Sequence, residues 1–180
     1  MQTITIVEPV PAFFRSELQE LGFALEDTTT QDLKDRNPER QKGIAGLVIR
    51  SKTSVDAALM EALPQLAFIM RPGSGLDNVD RAAAAQQGIH LITSPEGNRN
   101  AVAEHALGLL LSLLHNIPRA SAAVREGRWE REPNRGTELR DLEVGIIGYG
   151  HTGRAFAHKL SGTGCRITAY DKYTPVPFAD

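Results

Sequence analysis

The stretch from Leu142 to Asp171 restricts the possible folds more than any other part of the chain. In "LEVGIIGYGHTGRAFAHKLSGTGCRITAYD" an apolar run, Val144 to Ile147, enters Gly148-x-Gly150-x-x-Gly153. Arg154 to Leu160 then carries Phe156 and Leu160 on one helical face. Gly162 and Gly164 interrupt it, Cys165 to Tyr170 reads as a second strand, and Asp171 stands at its end. Three glycines at this spacing carry little weight alone, but between a strand and a helix each has a physical task. The first makes the tight turn, the second lets a pyrophosphate approach the backbone at the helix N-terminus, and the third lets helix and strand pack closely. Asp171 is placed to accept hydrogen bonds from an adenosine ribose. A carboxylate there repels a 2′-phosphate, which favours NAD over NADP, and the neighbouring Lys172 weakens that preference. His151 and Thr152 lie in the loop itself, where their backbone matters more than their side chains. The competing reading is a chance glycine cluster in a βα turn.

The rest of the first half alternates short apolar runs with amphipathic helices. Ile4 to Val7 reads as a strand, and the helix after it places Phe14, Leu18 and Leu21 on one face before Gly22 stops it. Phe23 to Leu25 is a weaker strand, Ile44 to Ile49 a stronger one, and Leu59 and Leu63 sit one turn apart on a helix. Leu66 to Met70, a helix from Val79 to Gln87 stopped by Gly88, and Ile89 to Thr93 complete the series. "DTTTQDLKDRNPERQKG" fits no pattern. Such alternation implies βαβ units and a parallel sheet covered on both faces. Loops leaving the carboxyl ends of parallel strands share one edge, where ligands bind. Arg50 and Arg71 each end a strand on that edge, and Gly73-Ser74-Gly75 follows the second. The planar fork of arginine suits carboxylate and phosphate, and exposed N–H groups in a glycine-rich turn form an anion nest. Alternatively, the arginines are solvated and the glycines only shape a turn.

Ala101 to His115 is a strongly apolar helix that Pro118 is expected to end. Leucines 107, 109, 110, 111, 113 and 114 surround much of it, so burial on most sides is expected, as for a spine between domains or at a subunit interface. Glu104 and His105 read as packing or capping residues. "RASAAVREGRWEREPNRGTELRDL" reads as an exposed connection in which Trp129, the only tryptophan, anchors the segment against the body or a partner. A net charge of −2 gives no electrostatic case for nucleic acid or membrane as partner. The single cysteine, Cys165, forms no internal disulfide and fits a reducing, cytoplasmic setting. "MQTITIVEPV" lacks a basic region followed by an apolar one, so no signal peptide is expected. The run from Ala106 to Leu114 is too short to cross a bilayer.

Several blocks together resemble the D-isomer-specific 2-hydroxyacid dehydrogenases along the whole chain: "IRSKT", "RPGSGLDNVD", "SPEGNRNAVAEHALGLLLSLL", "GRWEREPNRGTEL" and "VGIIGYGHTGRAFAHKL" closing in "AYD". Arg50 and Arg71 tilt the resemblance toward the phosphoglycerate branch. It implies an α/β protein: a flavodoxin-like, parallel-sheet substrate domain over 1–97, then the spine helix and the first part of a Rossmann NAD-binding domain over 98–180. By resemblance, the Gly73-Ser74-Gly75 backbone holds the substrate carboxylate, with Ser74 also near the nicotinamide, Arg50 contacts phosphate, and Arg71 orients the substrate. Gly148, Gly150, His151, Thr152, Gly153 and Asp171 serve the cofactor, NAD. The segment around Trp129 and Arg131 reaches the neighbouring subunit's active site in a homodimer.

Members of this family carry their catalytic arginine, glutamate and histidine in later Rossmann strands and loops, and no residue here matches any of the three. His105, His115, His151 and His158 are not reassigned to the role. The expectation is a first part of a dehydrogenase, inactive as this chain alone, with an open sheet edge and an exposed apolar face on the spine helix, and a second half that is less stable than the first, poorly ordered or associated with another chain. The parent is expected to oxidise 3-phosphoglycerate to 3-phosphohydroxypyruvate at the entry to serine synthesis. A hydroxypyruvate or glyoxylate reductase is the competing enzyme, and a non-catalytic nucleotide-binding or dimerisation module the competing reading outside enzymes. No metal site is expected.

Overall fold

The apolar runs of the first half become five parallel strands: β1 (Thr3–Ile6), β2 (Ala24–Asp27), β3 (Ile44–Val48), β4 (Phe68–Arg71) and β5 (His90–Thr93). Their order across the sheet is β2-β1-β3-β4-β5. That is the flavodoxin-like order, whose direction of winding reverses between β1 and β3. The computed structural model describes residues 2–35, 41 and 43–176. By contacts the chain divides into two units, Met1–Gly97 and Asn98–Asp180. Part of the patternless stretch forms the helix α2 (Thr30–Asp35), while 36–40 and 42 lie outside the described residues.

Period-two alternation sends the sheet's side chains into two layers. Leu47, Ile49 and Ile69 face one side, with Leu33, Leu59 and Leu63. Ile4, Ile6 and Val48 face the other, with Leu18, Phe14, Phe68 and Met70. All five residues of the central strand β3 are buried. Gly46 in its middle has a packing reason: an added Cβ would lie 2.2 Å from the Phe68 ring, which covers that position from the neighbouring strand. The helices begin where side chains can cap them. Asp56 accepts from Leu59 N at 2.9 Å at the start of α3 (Ala57–Glu61), and Asp80 accepts from Ala82 N and Ala83 N at the start of α4 (Arg81–Gln86). The expected start at Val79 is therefore two residues early; Val79 instead bridges Val55. In α1 (Ala12–Glu20), Phe14 and Leu18 pack on the core as expected, but Leu21 caps the helix and is 72% exposed. Gly22, at φ 87°, turns the chain there, and Phe23 takes the inward place.

The second unit is thinner. It has two parallel strands, β6 (Glu143–Ile147) and β7 (Arg166–Tyr170), and three helices, α5 (Arg99–Leu114), α6 (Ile117–Arg125) and α7 (His151–Ser161). Its core is Leu139, Ile146, Ala157 and Leu160, with Leu107, Leu110, Leu111 and Leu114 half-buried against them. Within this chain one stripe of α5 packs, and the helix keeps an exposed apolar face, as expected of a first part alone, with Leu109 and Leu113 59% and 75% exposed. Glu104 ties α5 to α7 through Lys159 at 2.9 Å, a packing role as expected. Pro118 does not end α5. His115 caps it, Asn116 takes a left-handed φ of 52°, and Pro118 falls in the first turn of α6, where its missing N–H costs nothing. The "exposed connection" is likewise part helix: α6 fills its start, and short 3-10 turns at Glu132–Asn134 and Leu139–Asp141 follow. Among the described residues no single helix is long and apolar enough to cross a membrane; α5 and α6 together have the length and composition but are bent by 62°.

Candidate functional site

Two clusters gather the residues singled out by sequence, one in each unit. In the first, the sheet ladder continues past the strands: Val7 N donates to Val48 O at 2.9 Å and Ile49 N to Met70 O at 3.0 Å. Arg50 is the next residue, and its N–H finds a carboxylate instead of a strand. Glu8 Oε1 accepts from Arg50 N at 2.8 Å and Thr53 N at 3.1 Å, and Lys52 N reaches Glu8 Oε2 at 3.2 Å. Burial works against ionisation of Glu8, but the Arg50 N–H, the Thr53 hydroxyl and the Lys52 and Thr53 N–H groups together outweigh it. Its carboxyl is held below the ordinary range.

The carbonyl of Arg50 is held as firmly. Arg71 Nε donates to it at 3.2 Å and Asn78 Nδ2 at 2.8 Å; Asn78 Nδ2 also donates to Thr53 O. Arg71 is mostly buried, its side chain 14% exposed, with Asp77 3.8 Å away. Its guanidinium lies over Gly75, where an added Cβ would come within 2.6 Å of a guanidinium nitrogen. The Gly73 carbonyl accepts from Ser94 N at 2.9 Å, which ties the turn to the end of β5. Arg50, Arg71 and the Gly73-Ser74-Gly75 turn thus meet on one carboxyl edge. Ser74 and the side chain of Arg50 face solvent there, and the Arg50 guanidinium has no partner among the described residues. Glu8 and Asn78 were not singled out by sequence. The signal for Glu8 was available, since it stands just past β1 on the same edge.

In the second unit, Gly148 turns the chain at φ 95° and donates to Tyr170 O at 2.7 Å. An added Cβ on Gly153 would lie 2.1 Å from the Gly148 carbonyl oxygen, so α7 starts directly on the turn. Among the described residues nothing lies within 4 Å of a Cβ built on Gly150, which caps α7, and no side chain caps the helix. The first turn of α7, which holds His151 and Thr152, therefore begins at the glycine turn with its backbone N–H groups on the side of Gly150. Asp171 ends β7 and grips this loop: Oδ2 accepts from Tyr149 N at 2.7 Å, while Oδ1 accepts from Tyr173 N and Thr174 N, each at 2.9 Å. The N–H groups of Tyr173, Tyr149 and Thr174 hold this carboxyl below its ordinary range. Arg154 secures the loop from the helix, donating from Nε to Tyr149 O at 3.0 Å with its guanidinium 5.8 Å over the Tyr149 ring. A groove of about 420 Å³ runs along Tyr170 to Val176 beside Asp171. Lys172 lies 5.4 Å over the Tyr173 ring.

Arg131 lies elsewhere in this unit, at the start of a 3-10 turn, beside a cavity of about 200 Å³ shared with Ala120, Val124, Trp129 and Asn134. Its guanidinium has no partner among the described residues, and Trp129 is 83% exposed. Among the described residues no group of three His, Cys, Asp or Glu side chains could hold a metal ion.

The family described as D-isomer specific 2-hydroxyacid dehydrogenase, catalytic domain, matches residues 4–174. D-3-phosphoglycerate dehydrogenase of Mycobacterium bovis is 40% identical over 142 residues, 76% of this chain and 27% of that protein. The enzyme of that name from Archaeoglobus fulgidus is 35% identical over 170 residues, 94% of this chain and 32% of that protein. The solved structure of D-2-hydroxyisocaproate dehydrogenase matches with a TM-score of 0.79 at 29% identity, over 99% of this chain and 56% of that one. The chain thus spans less than a third of the length of these two curated relatives. The match runs through both clusters, and the chain belongs to the D-isomer specific 2-hydroxyacid dehydrogenase family.

Proposed function

We propose that this chain forms part of an NAD-dependent dehydrogenase that oxidises 3-phosphoglycerate to 3-phosphohydroxypyruvate. The first unit serves as the substrate domain and the second as the start of the dinucleotide domain. The observation that carries the substrate choice is Arg50: its peptide groups are held at N–H and C=O, while its guanidinium is exposed and unpartnered among the described residues. An arginine so presented suits a phosphate. The N–H groups of the Gly73-Ser74-Gly75 turn take the substrate carboxylate beside it, and Arg71 orients the pair through the Arg50 carbonyl.

The second cluster fits a dinucleotide, because among the described residues the space at Gly150 is open and no side chain caps α7. Gly148, Gly150, His151, Thr152 and Gly153 receive the pyrophosphate, and Asp171 accepts from the adenosine ribose. Bound NAD supplies the hydride acceptor. Asp171 favours NAD by charge, and Lys172 opposes it only weakly because its ammonium sits over Tyr173. The acid-base group that takes the hydroxyl proton is not among these residues, so the 180-residue chain alone is inactive. The exposed Trp129 and unpartnered Arg131 support a homodimer in which this segment meets a second copy.

The test is NADH formation by the parent protein with 3-phosphoglycerate, and NADH consumption with hydroxypyruvate and glyoxylate. Loss of activity on the phosphorylated acid in Arg50→Ala, with hydroxypyruvate still reduced, supports the reading. Equal effects on both substrates favour the reductase.

A further inference from the structure

We propose that Glu8 is the positioning residue of the phosphate site: its carboxylate accepts from the Arg50, Lys52 and Thr53 N–H groups and so presents the Arg50 guanidinium to the substrate. This rests on Arg50 being the phosphate contact.

The sheet reverses its winding between its first and third strands. β1 and β3 lie side by side there, and Glu8 and Arg50 follow them just past the strands. Loop N–H groups on such an edge attract an anion. Here the chain supplies its own: the Arg50, Lys52 and Thr53 N–H groups all converge on Glu8. Two consequences follow. The loop cannot use those donors for a ligand phosphate, so recognition passes to a side chain. The carboxylate, occupied by backbone donors, also does not ion-pair with Arg50, although it bonds that residue's own N–H. With the Arg50 carbonyl held by Arg71 and Asn78, the residue is fixed on both sides and only its side chain remains to be ordered on binding.

Glutamine at position 8 keeps the size and one acceptor but turns an N–H₂ group toward the loop donors. Calorimetric binding of 3-phosphoglycerate and of D-glycerate to the full chain tests the proposal. Glu8→Gln is expected to weaken 3-phosphoglycerate about tenfold, roughly the cost of fixing one residue's backbone on binding. Binding of D-glycerate, which lacks the phosphate, should stay within twofold. In Arg50→Ala the Glu8→Gln effect should vanish, because a residue acting through Arg50 has nothing left to position. An undiminished effect on the Arg50→Ala background, or an equal loss for both ligands, overturns the proposal and leaves the Arg50 reading standing. If Arg50→Ala itself binds 3-phosphoglycerate like the unmodified chain, both fall. Should Glu8→Gln fail to fold, hydrogen exchange in the unmodified chain decides: slow exchange at Arg50, Lys52 and Thr53 supports the proposal, and exchange at free-peptide rates refutes it.

Discussion

The two units hold their candidate loops in the same way but on unequal foundations. In the first, the N–H of Arg50 goes to Glu8 and its carbonyl accepts from Arg71 Nε; in the second, the N–H of Tyr149 goes to Asp171 and its carbonyl accepts from Arg154 Nε. Each time a carboxylate from a neighbouring strand end takes the donor that the ladder has run out of partners for, and an arginine takes the acceptor. Beneath this shared device the cores differ. β3 is buried at every position between two apolar layers, whereas Ile147 of β6 is 90% exposed and Tyr170 of β7 is 63% exposed. A loop can therefore be ordered by a few directed hydrogen bonds even where its sheet contributes little burial.

The two units differ most in how much a core substitution costs them. Leu47→Ala, at a fully buried position, should cost about 2–5 kcal/mol in urea unfolding. Gly153→Ala comes next: its Cβ meets backbone, not a movable side chain, so about 2–3 kcal/mol should be lost, with dinucleotide binding, while the amide spectrum of the first unit is unchanged. The pH dependence sharpens the shared device. Glu8 and Asp171 are both more acidic in the fold than in the unfolded chain. Their contribution is complete above the unfolded value, about pH 4, and is lost as pH falls through the lowered folded values. The Arg50 and Tyr149 amide resonances should each shift in that window, with Glu8→Gln abolishing only the first and Asp171→Asn only the second. The smallest effect is expected for Ile147→Ala, within about 0.5 kcal/mol at an exposed site. A loss above 1 kcal/mol there would mean that this strand is covered in solution and that the two units are more alike than their exposures indicate.

Most strand positions and the glycine loop were legible because both are written locally: apolar runs bounded by Gly22, Gly88 or Gly148 mark their own ends, whereas the flavodoxin-like arrangement came from the family resemblance. Asp171 was legible for the same reason, by its spacing from Gly153. The position of Glu8 just past β1 was equally local, but its partners were not legible, since they lie 42 to 45 residues further along and only the sheet order brings them together. Leucines all round α5 read as burial, yet only one stripe of it packs, because the two-stranded sheet and α7 present it with one face to cover. Pro118 was read as a stop because proline both ends helices and begins them, and the left-handed Asn116 that separates α5 from α6 leaves no clear mark in sequence.

Gly46 carries a consequence for the site although it touches none of its residues. The Phe68 ring seats over the missing side chain, and that seat indexes β4 against β3, pairing Gly46 with Phe68, Leu47 with Ile69 and Val48 with Met70. Slippage by one residue would set the ring against the side chain of Ala45 or Leu47. The same index fixes how far beyond the sheet each strand delivers its arginine, so the hydrogen bond from Arg71 to the Arg50 carbonyl is gauged by an apolar notch four residues upstream. A side chain at position 46 would misalign Arg71 and the Arg50 carbonyl from within the core, with every polar residue of that cluster intact.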